Sequence, residues 1–226
     1  VSDGVPAAGA GSIEQNGSVD RFTFSIPAGG KVLQFNRLGA QRNMALKNAA
    51  TGEQIAKFVD NRQLTLAQGD YYLETGWPTG GPGTYSFELY EVPGPQVFEY
   101  LLDSVVSNGV PAAGAGNIEQ SGSVDRYTFS IPAGGKALQF NRLGSQRNMA
   151  IKNSGTGAQV ATFVDNAQMT LPEGDYYLET GWPTGGPGTY SFNLYEVPAQ
   201  QVFAYTLDTV VSNGVPAAGA VNIERI

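Results

Sequence analysis

The side chains here that could do chemistry are carboxylates and aromatic rings, because the 226 residues include no histidine and no cysteine. That removes the usual nucleophilic triads, imidazole and thiolate zinc sites, and any disulfide framework. A carboxylate pair, as in glycoside hydrolysis, is what remains for catalysis. The candidates are Glu74 with Asp70 and, 105 residues on, Glu179 with Asp175. Asp70 follows Gln68-Gly69 in a tight-turn sequence where aspartate is ordinary. Glu74 has the phase of a solvent-facing strand residue. No catalytic residue is assigned, and the chain is read as not an enzyme.

Carboxylates could also hold a cation. Asp3, Glu14 and Asp20 gather near the entry of the first repeat, with Glu119 and Asp125 at the matching places further on. Calcium wants six to eight oxygens, several of them carboxylate, and Asn108 stands where the first set has Asp3. The plainer account is turn chemistry for Asp3 and Asn108, with Asp20 pairing an arginine. No cofactor is expected, and calcium is not supported. The remaining candidates are Tyr72, Trp77 and Tyr85 around a Gly-rich loop, with Tyr71 beside them, and Tyr177, Trp182 and Tyr190 at the matching loop. Exposed rings of this kind stack on sugars or on collagen prolines. A tryptophan beside prolines also folds back as a lid on the core.

The elements that must position these residues are short strands. Residues 19–26 alternate, with Phe22, Phe24 and Ile26 on one face and Arg21, Thr23 and Ser25 on the other, which is the pattern of a half-buried strand. Further runs at 31–36, 44–48, 54–59, 64–66, 71–75, 84–92 and 97–102 are separated by Gly, Pro and Asn turns. With no helical period anywhere, the pattern predicts an all-β fold: jelly-roll-like antiparallel β-sandwiches of about eight strands each.

The largest regularity is a repeat. Val1-Ser2-Asp3-Gly4-Val5-Pro6-Ala7-Ala8-Gly9-Ala10 returns at 106 and at 211, and 83 of the first 105 positions are identical in the second copy. Units of this size bury their own cores, so the array is read as beads on a string. The boundaries predicted are 1–94 for a first repeat lacking its opening strand, 95–199 for a second, and 200–226 for the start of a third. The run at 97–102 then opens the second repeat, and 202–207 is a surplus strand. A strand missing at one end and spare at the other suggests head-to-tail complementation between chains. A longer array cut at convenient places explains it as well, since the chain begins inside a repeat. Charge is lost between copies at Glu53/Ala158, Lys57/Thr162, Arg62/Ala167, Glu88/Asn193 and Glu99/Ala204, so these positions are expected to be exposed.

The formal charge of −7, with no gathered Lys or Arg, excludes a nucleic-acid footprint. No apolar run approaches the ~20 residues of a membrane span.

Gly17-Ser18-Val19-Asp20-Arg21-Phe22-Thr23-Phe24-Ser25-Ile26-Pro27-Ala28-Gly29 resembles the opening of the bacterial pre-peptidase C-terminal domain, a relative of the collagen-binding module of collagenases. Residues 66–74 and 83–89 resemble its later strands. The resemblance covers about 12–92 and 117–197. It implies a secreted, non-catalytic β-sandwich, appended to extracellular enzymes or repeated in surface proteins. Arg42-Asn43-Met44-Ala45-Leu46-Lys47-Asn48 stands where that family carries an Asp-rich strand, so calcium binding is not transferred to those positions. The expected function is a structural extension or adhesive stalk at the bacterial surface, whose partners are adjacent copies of the same module. Two alternatives are a module binding polysaccharide or another matrix polymer such as collagen through the Trp loops, and a head-to-tail filament subunit.

Overall fold

Alternation of apolar and polar side chains builds the long strands, as in 20–26 and 69–75. The structure, a computed structural model, describes residues 1, 6–76, 81–181, 186–198, 201–215 and 218. Strands and turns make up these residues, with no helix among them. In the first repeat the strands are β1 (Ser12–Ile13), β2 (Asp20–Ile26), β3 (Lys31–Arg37), β4 (Met44–Asn48), β5 (Gln54–Phe58), β6 (Arg62–Leu66), β7 (Gly69–Thr75), β8 (Gly83–Thr84) and β9 (Phe87–Glu91). They form a sheet in the order β2-β7-β4-β5, a second in the order β6-β3-β9, and the small pair β1-β8, all antiparallel.

The second repeat begins with β10 (Gln96–Glu99), β11 (Val105–Val106) and β12 (Asn117–Ile118). It continues with β13 (Asp125–Ile131), β14 (Lys136–Arg142), β15 (Met149–Asn153), β16 (Gln159–Phe163), β17 (Ala167–Leu171), β18 (Gly174–Thr180), β19 (Gly188–Thr189) and β20 (Phe192–Glu196). Its sheets are β10-β13-β18-β15-β16, β11-β20-β14-β17 and β12-β19. The two larger sheets are therefore each one strand wider than their counterparts in the first repeat, while the small pair is unchanged. The added strand β10 runs parallel to β13, with Gln96 opposite Asp125 and Glu99 opposite Thr128. An antiparallel sandwich was the expectation, and this pairing departs from it. A strand arriving from the preceding repeat is not tied to its neighbour by a hairpin, so its direction is free to be parallel.

Two apolar cores form, one from residues of each repeat, with no member in common. Phe35 lies between Phe58 and Phe87, with ring centroids 5.0 and 5.5 Å away, and Phe140 repeats this with Phe163 and Phe192. Such ring pairs contribute roughly 0.5–1.5 kcal/mol beyond the burial of their area. The run at 84–92 divides into β8 and β9 instead of forming one strand. Its alternation is unbroken, but the Ser86 carbonyl accepts from Leu38 and Gly39 N–H while Tyr85 N–H turns to Gly11. Gly39 permits that approach, since a Cβ there would lie 2.6 Å from Ser86 Oγ.

Candidate functional site

Of the carboxylates considered for catalysis, Glu74 and Glu179 sit on the outer faces of their sheets and are bound to cations. Glu74 on β7 takes Arg21 Nε at 2.8 Å and Lys47 Nζ at 2.7 Å; Glu179 takes Arg126 at 2.8 Å and Lys152 at 2.6 Å. Burial alone would raise each carboxyl, but the hydrogen bonds and charges of the two cations outweigh it and hold both below the usual carboxylate range. An acid held ionised between two cations is a poor proton donor. Glu179 keeps the outward phase of its strand position and is nevertheless buried, because Arg126 and Lys152 close over it. Tyr72 and Tyr177 belong to the same ladder, with the guanidinium of Arg21 5.0 Å from one ring and that of Arg126 4.8 Å from the other. Asp70 and Asp175 accept hydrogen bonds from Ser25 and Ser130 at 2.6 Å, which ties β7 to β2 and β18 to β13 rather than opposing a second acid.

Asp20 and Asp125 are bound to tyrosines, not to arginine. The Tyr85 hydroxyl donates to Asp20 and the Tyr190 hydroxyl to Asp125. In the second repeat the chain is longer. Gly116 N–H donates to the Tyr127 hydroxyl at 2.8 Å, and the Tyr127 and Tyr190 hydroxyls are 2.6 Å apart. Since the Tyr190 proton goes to Asp125, Tyr127 is the donor between the two rings. Burial pushes the Asp125 carboxyl up to about 6; the Tyr190 hydrogen bond and the Arg147 charge oppose this, and the Glu119 charge adds to it. Burial and the neighbouring acid also raise Tyr85 and Tyr190 far above the ordinary phenol value. Both rings are buried and turn no face to a ligand. Phe22 stands where the second repeat has Tyr127, so the longer chain of hydroxyls occurs once.

Of the other cation candidates, Glu14 is exposed, Glu119 receives Gln96 Nε2 at 2.9 Å, and Asp3 lies outside the described residues. Among the described residues no three acidic groups converge as a metal site. Trp77 and Trp182 also lie outside them. The loops that carry them are anchored at both ends. Gly76 has φ +104, and a Cβ there would meet the Ser18 carbonyl at 2.3 Å. At the far end Arg147 donates to the carbonyls of Gly186 and Gly188, both at 2.8 Å, and Arg42 donates to Gly81. In the sequence Arg42 stands out only as part of the run that takes the place of an Asp-rich strand, and Arg147 not at all. Their signal is a cation ahead of a strand with glycine carbonyls to satisfy, which is too common to point anywhere.

A groove of about 910 Å³ lies in the first repeat, floored by Phe22, Phe24, Phe87 and Leu89 and bordered by Glu119 and Ser121 of the second. In the second repeat the same place is filled. There Phe98 stacks on Tyr127 at 5.2 Å, and Tyr100 packs among Tyr127, Phe129 and Phe192. The Tyr100 hydroxyl has one proton to share between the carbonyls of Ser104 (2.8 Å) and Leu194 (3.1 Å), and it accepts from Leu194 N–H at 2.8 Å. As a result Tyr127, Phe129 and Leu194 are buried, whereas Phe22, Phe24 and Leu89 are only partly so.

No family model matches the chain, and no curated protein does. Among solved structures it is similar to the CUB1-EGF-CUB2 domain of human MASP-1/3. That match has 6% identity and a TM-score of 0.28 over 87% of this chain and 98% of that one. The same domains of rat MASP-1 match at 6% identity and a TM-score of 0.27, over 86% and 96%. Neither likeness bears on what this chain does. No helix among the described residues is long and apolar enough to cross a membrane.

Proposed function

We propose that this chain is a run of non-catalytic structural modules from a large secreted or cell-surface bacterial protein, where it holds a distance as part of an extension or adhesive stalk. The joint between the repeats carries the reading. β9 ends at Glu91 and β10 starts at Gln96, already hydrogen-bonded into the next sandwich. Tyr90 reaches across to the Ser121 carbonyl at 2.9 Å. Four residues between strands of successive sandwiches leave little slack, and a module linked in this way sets spacing rather than swinging freely. The resemblance to pre-peptidase C-terminal domains agrees with a secreted, non-catalytic role. So does the commitment of Glu74, Glu179, Asp20 and Asp125 to internal partners. Small-angle scattering of the dilute chain tests the reading: an elongated particle two modules long is expected, and a compact globule would end it.

A further inference from the structure

We infer that the turn Gln120-Ser121-Gly122-Ser123 latches the second repeat onto the first at one fixed orientation, with Gly122 as the residue that lets it seat. The structural reading above needs only a spacing. This inference rests on that reading and adds an angle to it.

The tether by itself fixes a distance and no angle. Val92 N–H is bonded to Val32 O in the first repeat at 2.8 Å, and Gln96 N–H to Val124 O in the second at 2.9 Å. Between them stand Pro93, Gly94 and Pro95, all exposed. Each proline holds its own φ, but Gly94 accepts a wide range of torsions. A Cβ on Gly94 would meet nothing within 4 Å. Rotation there turns one sandwich against the other unless a second contact stops it.

The turn supplies that contact. It is closed by Ser123 N–H to Gln120 O, and its counterpart in the first repeat by Ser18 N–H to Gln15 O, both at 3.1 Å. Gly122 and Gly17 share a left-handed φ, +89 and +87. Their surroundings differ. Gly17 is exposed, and a Cβ on it would meet nothing within 4 Å. Gly122 is buried, and a Cβ there would lie 2.9 Å from Gln63 Nε2, 3.2 Å from Val92 Cγ2 and 3.3 Å from Gln34 Oε1, all in the first repeat. Gln63, Gln34 and Tyr90 form one cross-strand row over β6, β3 and β9. The Tyr90 hydroxyl accepts from Asn36 Nδ2 at 3.2 Å and donates to Ser121 O at 2.9 Å, which sets the direction of the bond across the joint.

The seat leaves Gln34 only 2% exposed, whereas its counterpart Gln139 stays partly open. Gln34 Oε1, and Ser123 Oγ next to Gly122, are buried without a hydrogen-bond partner among the described residues. Orphaned polar atoms cost stability. The seat therefore fixes geometry more than it adds affinity, and losing one contact should release it.

Glu53 and Ala158 are exposed counterparts, and the chain has no cysteine, so Glu53→Cys with Ala158→Cys carries a spin label on each repeat. Pulsed electron–electron resonance should give one narrow distance peak. Asparagine tolerates a left-handed φ but adds bulk, so Gly122→Asn should broaden the peak about twofold, leaving only the tether to join the repeats. Gly17→Asn makes the same backbone change with no seat beside it and should leave the peak as it was. Inserting a Gly-Gly pair after Gly94 alters neither sandwich, and a peak that stays narrow shows the seat holding. Broadening by the insertion overturns the inference, because the tether then set the angle. A broad peak from the parent chain overturns it too, as does a narrow one from Gly122→Asn. If Gly122→Asn fails to fold, the insertion decides alone. Any overturning result from a particle that still scatters as elongated leaves the structural reading standing, and a narrow peak from a compact particle does the reverse.

Discussion

Asp125 is buried under the Tyr190 and Tyr127 hydroxyls, and it sets the sign of a pH effect. Its carboxyl is raised to about 6 in the folded chain, so the folded state holds the proton more tightly than the unfolded one. The stability it brings is complete below the ordinary aspartate range and is lost as pH rises through about 6. Glu179 has the opposite sign: its value is lowered, and its contribution is lost as pH falls below the usual carboxylate range. Between pH 5 and pH 7 the Asp125 effect is therefore isolated, and the second repeat should lose on the order of 1 kcal/mol over that interval. Asp125→Asn keeps an acceptor for Tyr190 without the titration. Urea midpoints for that variant at the two pH values should coincide more closely than those of the parent chain.

At the scale of elements, β10 and β11 are what distinguish the two sandwiches. Tyr100 fills the groove with its ring and accepts from Leu194 N–H. Tyr100→Ala should cost the second repeat about 3–5 kcal/mol, the range for deleting a buried aromatic ring. Tyr100→Phe should cost about 1–3 kcal/mol, because the Leu194 N–H loses its acceptor. Tyr205 occupies the same place in the next segment but is exposed. Tyr205→Ala should leave the thermal unfolding of the dilute chain unchanged within error. A loss matching that of Tyr100→Ala would mean that Tyr205 is packed as Tyr100 is.

For the whole molecule, the repeats are near-identical in sequence and unequal in closure. Amide hydrogen exchange should find β2 and β9 less protected than β13 and β20, because the first pair lacks the covering that β10 and β11 give the second. Urea should unfold the first repeat before the second. Equal protection in both pairs of strands would mean that the added strands contribute no closure.

Much of this was legible in the chain because it is local. Phe22, Phe24 and Ile26 alternate with polar neighbours, and that period predicts a strand whatever lies across from it. The charges lost between copies, at Glu53, Lys57, Arg62, Glu88 and Glu99, all lie at exposed positions. The 105-residue period likewise determined that 96–105 and 201–210 are the same kind of segment. Only the tertiary structure decided that the first of them fills a groove, that Glu179 lies buried between two cations, and that Tyr85 and Tyr190 turn inward to aspartates. Those outcomes depend on what stands opposite each side chain across a sheet or a groove. Identical residues meet different neighbours in the two repeats, so pattern alone does not separate them.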